Sequence, residues 1–457
     1  MRHDVEQVGL LIDVGSTWTK GVAVSLRDGT LLARRQHPTT LAQGIMVGVH
    51  PVIDELSGSA HGDVVFRAAS SSAAGGLRVA AIGLVPDLTG IAARQASLGA
   101  GARVVFTGNY ILAPEEIDAM LLTEPDILLL CGGTDGGNAE VILENSRRLA
   151  RARPAAAVVL AGNKTARAEA KNILEGSGLE VRVAENVLPA IDTLAVESAQ
   201  AAIRDLFLER IVIARSIEEL RAWAGDGLKP TPRAVLEATE FLADGPLRLG
   251  SLVVVDIGGA TTDVHSVGGT EPQPGVLIRG LPEPRIKRTV EGDLGLRVSA
   301  AAAADALGAE ALALRIGTSA QEVRLEADRR VEDTAVLQDE DSFDRILAAA
   351  AIAEALSRHA GRIEAIPLRK NQWFQVGKDL RRTRTLIGSG GVFAARSDAG
   401  DILASALRDA ATSGRLVPEA PTCLIDRLYV LYAVGLLADR HPQAAAALAR
   451  SSLNLRP

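Results

Sequence analysis

The sequence predicts an α/β protein built from two related halves, with a doubly wound parallel sheet inserted into the chain. Three observations lead there. The stretch LLIDVGSTWTKGVAV, residues 10–24, has a near-copy in VVVDIGGATTDVHSV, residues 253–267. Between the copies, short apolar runs alternate with helical stretches at the spacing of a parallel sheet and its crossover helices. With 457 residues the chain is longer than one hydrophobic core usually serves, so several domains are expected.

The first copy reads as a buried strand that ends at Asp13, a tight turn at Gly15, Ser16 and Thr17, and a second strand carrying Lys20. Glycine and small residues let backbone N–H groups converge, and such concavities bind phosphate oxygens. A carboxylate beside a phosphate nest is repulsive unless a cation lies between them. Mg²⁺ meets that need, because it takes a few carboxylates, retained waters and substrate phosphates. The second copy supplies Asp256, Gly258, Gly259, Thr261 and Thr262, with Asp263 closing the turn. One such hairpin could equally be an ordinary β-turn with an Asp at its mouth. Two matched Asp-x-Gly-small-small-x-Thr turns favour a joint purpose, which is to clamp one polyphosphate and its metal from both sides. The chain lacks G-x-x-x-x-G-K-S/T, so no P-loop competes for that role. A third element, TLIGSGGVFAAR at residues 385–396, reads as strand, turn and helix. Its Gly388, Gly390 and Gly391 would let an adenine or ribose lie against backbone.

From residue 64 to about 206 the pattern changes. LRVAAIGL, ARVVFTG, DILLLCGG, AAAVVLAG and LEVRVAE read as short strands separated by helical stretches. Ligands in such sheets sit at the carboxyl ends of the strands. The loops CGGTDGGN (131–138) and AGNKTA (161–166) fall there, and RAASSSAAGG (67–76) is small and polar enough for a hinge or binding loop.

Composition narrows the field. A net charge of -7 speaks against nucleic-acid binding. Cys131 and Cys423 stand apart from each other and from any His cluster, which excludes a disulfide scaffold and fits a reducing cytoplasm. The N-terminal MRHDVEQVG lacks the basic-then-apolar layout of a signal peptide. No stretch approaches the ~20 apolar residues of a membrane helix. A cytoplasmic protein is expected. The basic stretch at 368–385, with Trp373 and Phe374, is expected as a solvated hairpin, and His265 as a strand residue rather than a ligand.

The order of two phosphate hairpins and a Gly-rich turn resembles the actin, sugar-kinase and heat-shock-chaperone ATPase superfamily. In that fold two ribonuclease-H-like halves close over Mg-ATP. VLEATEFLADG (235–245) and DRLYVLYAVGLLA (426–438) resemble its two connecting helices. By that resemblance Asp13 and Asp256 are the metal carboxylates, and Lys20 reaches the phosphates. Glu237 lies near the connector acid that orients attacking water, with Glu240 competing. The implied organisation is a first ATPase half at 1–63, an inserted Rossmann-like domain at 64–206, the first half continued with a connector at 207–250, a second half at 251–425, and a connector with tail at 426–457.

The phrases IDVGSTWTKG, ASSSAAGGLRVAAIGLVPDLT, CGGTDGGN, AGNK, EGDLGLR and IGSGGVF together resemble the GlmL/MutL family. Its members are encoded alongside adenosylcobalamin-dependent mutases such as glutamate mutase. The resemblance implies a slow ATPase of chaperone type that acts on mutase subunits, with ATP and Mg²⁺ as its cofactors. A small-molecule kinase of the same fold is the alternative, and a polymerising actin-like protein a third.

Overall fold

The computed structural model describes residues 6–40, 44–60, 62–72, 78–100, 102–191, 193–214, 218–269, 276–281, 283–334, 342–366 and 372–455. The chain divides into two compact units, Met1–Gly75 with Arg215–Arg279 and Glu283–Pro457, and Gly76–Ala214 with Gly280–Pro282.

The first unit opens with an antiparallel meander of β1 (Gln7–Val14), β2 (Trp18–Ser25) and β3 (Leu31–Pro38). β1 is buried along almost its whole length, as its unbroken apolar run requires of a strand covered on both faces. β4 (Asp63–Ser71) lies parallel to β1. The chain then leaves to form the second unit, with strands β5 (Arg78–Gly83), β6 (Arg103–Asn109), β7 (Ile127–Leu130), β8 (Ala157–Leu160) and β9 (Val181–Val183). On its return β10 (Leu228–Pro230) pairs parallel with β4 and completes the order β10-β4-β1-β2-β3.

The plan is then repeated. β11 (Leu252–Ile257) and β12 (Thr262–Val267) form the second hairpin, followed by β13 (Val276–Ile278) and β14 (Ile286–Glu291). β15 (Arg362–Ala365), β16 (Trp373–Val376), β17 (Thr385–Ser389) and β18 (Thr422–Ile425) come after a helical stretch. The second sheet runs β14-β12-β11-β17-β18, with β12 antiparallel to both its neighbours and β17 and β18 parallel to β11. Its order and strand senses match those of the first sheet. These are the two ribonuclease-H-like halves that the repeated hairpin foretold. β13, β16 and β15 make a separate small sheet, in which Trp373 and Phe374 lie in β16 as ladder residues. Residues 368–371 of that basic stretch lie outside the described residues.

Two helices join the halves in one core. Thr231–Asp244 follows β10 and Leu431–Leu437 follows β18. Val235, Ala238 and Leu242 from one pack with Leu431, Val434 and Leu437 from the other, among residues of both sheets. Gly435 is the point of closest approach: a Cβ there would lie 1.9 Å from the Ala234 carbonyl oxygen. The first connector begins at Thr231, earlier than expected, with Pro in its first turn. Pro232 costs nothing there, since its missing N–H would have no helical partner.

The second unit is a parallel sheet of order β6-β5-β7-β8-β9 with helices between its strands. Four of the five strands fall within the stretches predicted for them, and β6 runs one residue past its own, to Asn109. The order reverses beside β5, as in doubly wound folds. Its strand-end loops are tied together by buried amides. Asn163 accepts from Gly136 N and donates to the Gly137 carbonyl, and Asn186 donates to the Gly133 carbonyl and to Asp135. One boundary needs correction. The inserted unit starts at residue 76 rather than 64 and continues to 214, because β4, with its buried end Ala68–Ser71, completes the first half's sheet against β1. RAASSSAAGG therefore begins as strand; residues 73–77 lie outside the described residues.

Among the described residues, no helix is long and apolar enough to cross a membrane.

Candidate functional site

Both hairpins close with the same backbone bond. Gly15 N donates to the Trp18 carbonyl at 3.0 Å, and Gly258 N to the Thr261 carbonyl at 2.9 Å. In each, the Asp at the end of the first strand sits in register with the residue that follows the turn: Asp13 opposite Lys20, and Asp256 opposite Asp263. The turns face each other within the first unit. A Cβ on Gly259 would come 2.9 Å from Thr17 Oγ1 and 3.2 Å from Arg297 Cβ, so glycine is what allows this approach.

Around Asp13 every oxygen is engaged. Ser70 on β4 donates to Oδ1 at 2.7 Å, Thr231 at the head of the connector donates to the same atom at 2.6 Å, and Lys20 Nζ pairs with Oδ2 at 2.9 Å. The Lys20 ammonium also lies 3.6 Å from the centre of the Tyr429 ring and 5.8 Å from that of Tyr432. Burial opposes the charge on Lys20 most strongly, yet Tyr429 and Asp13 outweigh it and hold the ammonium protonated well above the ordinary lysine range.

Asp256 is the opposite case. Its Oδ1 is buried without a hydrogen-bond partner. Burial pushes its carboxyl up to about 7, and the Asp263 charge across the hairpin adds to the effect. Asp263 is itself neutralised by Arg288 of β14 at 2.6 Å and takes the Thr261 hydroxyl at 3.0 Å. An orphaned carboxylate oxygen beside a second acid, in a cleft walled by two glycine turns, suits a hard cation accompanied by phosphate. The donor set therefore fits Mg²⁺. Asp256 has an open oxygen, whereas both oxygens of Asp13 already have partners.

The loop after β14 braces the second turn. Leu296 N donates to the Gly258 carbonyl at 3.1 Å, Arg297 N to that of Gly259 at 2.8 Å, and Ser299 Oγ to that of Ala260 at 2.7 Å. Arg297 in turn pairs with buried Asp344 at 2.7 Å.

Several predicted residues take supporting places. Thr262 is buried, its hydroxyl bound to the Leu294 carbonyl, so it anchors the strand instead of lining the cleft. Gly388 packs beneath Phe393, where a Cβ would lie 2.7 Å from the ring. Gly390 is held at φ +122 with its Cβ position 2.1 Å from the Ile257 carbonyl, which fixes the Gly-rich turn against β11. Around Gly391 the space is open. Both oxygens of Glu237 are occupied, by Lys229 at 2.6 Å and Arg233 at 2.7 Å. In this arrangement it is an ion-paired helix residue, with one cation on each oxygen. His265 lies fully buried in β12, as expected of a strand residue.

Sequence reasoning missed Ser70, Thr231, Arg288 and Tyr429. Ser70 stood in the quoted serine run, and Thr231 preceded a helix-starting proline. Arg288 and Tyr429 carry no local signal, since only the strand pairing and the chain's return bring them to the hairpins.

Comparison with known proteins places the chain. It is 41% identical over 455 residues to Protein MutL of Clostridium tetanomorphum, covering 97% of this chain and 98% of that protein. Solved structures align more loosely. Acetone carboxylase in its nucleotide-free structure aligns at 15% identity and TM-score 0.40, over 95% of this chain and 70% of that one. A ROK family glucokinase from Streptomyces griseus, in complex with glucose and AMPPNP, aligns at 14% identity and TM-score 0.32, over 97% and 99%. Alignments this loose do not bear on the site. The family model described as MutL protein matches residues 9–453. The chain belongs to the MutL protein family.

Proposed function

We propose that the protein binds Mg-ATP between its two hairpins and uses the nucleotide state to act on an adenosylcobalamin-dependent mutase, as an accessory that releases damaged cofactor. The observation that carries the nucleotide reading is the facing of two equivalent turns, with Thr17 against Gly259 and Lys20, Asp13 and Asp256 within electrostatic reach of one another. The mutase reading rests on the family and on the phrases that resemble it.

The geometry supports these roles. Ser16, Thr17 and Gly259 would offer turn N–H groups and hydroxyls to phosphate oxygens, on turns that Gly15 N and Gly258 N hold closed. Lys20 supplies a fixed positive charge. Bound Mg²⁺ would neutralise the polyphosphate against Asp256 directly and against Asp13 through water. The Gly390–Gly391 turn offers backbone to the nucleoside. ATP touching both turns favours a closed pair of halves, and a partner that binds the closed and open forms unequally is driven by that difference.

The test mixes mutase carrying inactivated cobalamin with this protein and follows cobalamin release with Mg-ATP, with Mg-ADP and without nucleotide. Release is expected with ATP, and Asp256→Asn should abolish it. Equal release under all three conditions rejects the proposal.

A further inference from the structure

Tyr429 is one of the few residues other than glycine with a left-handed backbone among those described, at φ 53. A bulky aromatic residue rarely sits there, and the conformation is kept only where its surroundings enforce it. Here Asp426 enforces it. That carboxylate is fully buried and accepts from Val430 N at 3.1 Å, Leu431 N at 3.2 Å and Ser389 Oγ at 2.9 Å, with Ser452 Oγ as a further donor. Tyr429 N closes the turn on the Asp426 carbonyl at 3.2 Å. The result of this costly turn is a ring set 3.6 Å from the Lys20 ammonium.

We propose that Tyr429 is a positioning residue of the nucleotide site: its ring face holds the Lys20 ammonium beside Asp13, at the hairpin that would meet phosphate. The inference rests on the nucleotide reading above. The chemistry explains the choice of an aromatic ring. A lysine on a flexible stem needs a second holder besides Asp13, and another carboxylate there would repel the incoming phosphates. A ring face attracts the cation through its quadrupole and adds no net negative charge. Holding the side chain in one place also removes the conformational freedom that phosphate binding would otherwise have to freeze. The strained backbone is then the cost of bringing a residue from the far end of the chain over the first hairpin.

The experiment uses the full chain and Mg-ATP. Calorimetric affinity should fall about tenfold or more in Tyr429→Leu, and Tyr429→Phe, which keeps the ring, should stay within about threefold of the parent. Tyr429→Asn relieves the backbone, because asparagine tolerates the left-handed region. It should melt no lower than Tyr429→Leu and still lose ATP affinity. Unchanged affinity in Tyr429→Leu, or an equal loss in Tyr429→Phe, overturns the proposal. A second measurement needs no nucleotide. In a melting cycle of Lys20→Met and Tyr429→Leu, the double variant should lose less than the two single losses combined, and strict additivity overturns the contact. The two readings fail differently: a coupled cycle in a protein that binds no ATP sinks the nucleotide reading, whereas ATP binding with an additive cycle sinks the role of Tyr429.

Discussion

Two acids at the same place in two equivalent hairpins are treated in opposite ways. Asp13 is satisfied by Ser70, Thr231 and Lys20, whereas Asp256 keeps a bare oxygen. If both serve one metal, Asp13→Asn and Asp256→Asn should be far from additive in ATP turnover, because a clamp missing one jaw has little left to lose. Full additivity would indicate separate sites. The raised carboxyl of Asp256 also gives a pH signature. An unfolded chain loses this proton near pH 4, but the folded protein keeps it until about pH 7. Stability from this group is therefore complete below pH 4 and declines as pH rises to 7. Asp256→Asn has no charge to bury. Without nucleotide it should be more stable than the parent by an amount that grows between pH 4 and 7 and then levels off, at about 4 kcal/mol. With Mg-ATP the order should reverse. Melting curves across that range decide it, and a gain independent of pH would reject the assignment.

At the scale of elements, the connecting helices meet backbone to backbone at Gly435. An alanine methyl would press on the Ala234 carbonyl oxygen at 1.9 Å, and neither helix end can yield without opening the shared core. Gly435→Ala should therefore cost about 3 kcal/mol in denaturant unfolding. Gly400→Ala is the control: it lies in the helix Ala399–Ala411 with nothing within 4 Å of its Cβ position. It should be neutral or slightly stabilising. A similar response at both positions would show that the close approach is not what Gly435 serves. The sequence made some of this legible and hid the rest. Both hairpins and the five inserted strands announced themselves through apolar runs and turn residues, which are local signals, and the two connectors through the family resemblance. The pairing of β4 with β1 did not, because a strand followed by serine and glycine reads the same at either sheet. The setting of Glu237 was hidden for a related reason. Its place on the connector was visible, but not that Lys229 and Arg233 would occupy it.

On the scale of the whole molecule, the chain interrupts one half to build a second unit and then returns to finish the first sheet. β4 ends at Ser71 and β10 resumes beside it, pairing Lys229 with Ser70 and Pro230 with Ser71. The first unit's sheet is thus complete without any strand of the second. Replacing residues 76–214 by a short Gly/Ser linker should leave a folded protein that binds Mg-ATP within about threefold of the parent, since every proposed phosphate ligand lies in the first unit. Action on a mutase should be lost if the inserted unit is what the partner grips. Retained release by the shortened chain would transfer that role to the first unit.

The rung that pairs Asp13 with Lys20 pairs Asp256 with Asp263 in the other half, and the cation that balances Asp263 comes from a third strand, as Arg288. Joining two identical halves could not produce this cleft. Two copies of the first would set a pair of lysines facing one another, and two copies of the second would leave acids on both sides. The exchange of Lys20 for Asp263 at equivalent rungs gives the two hairpins opposite character, with a fixed cation in one and an unmet anion, Asp256, in the other. If the proposed Mg-triphosphate binds there, this asymmetry would favour one orientation and so set which half each end of the nucleotide reports to.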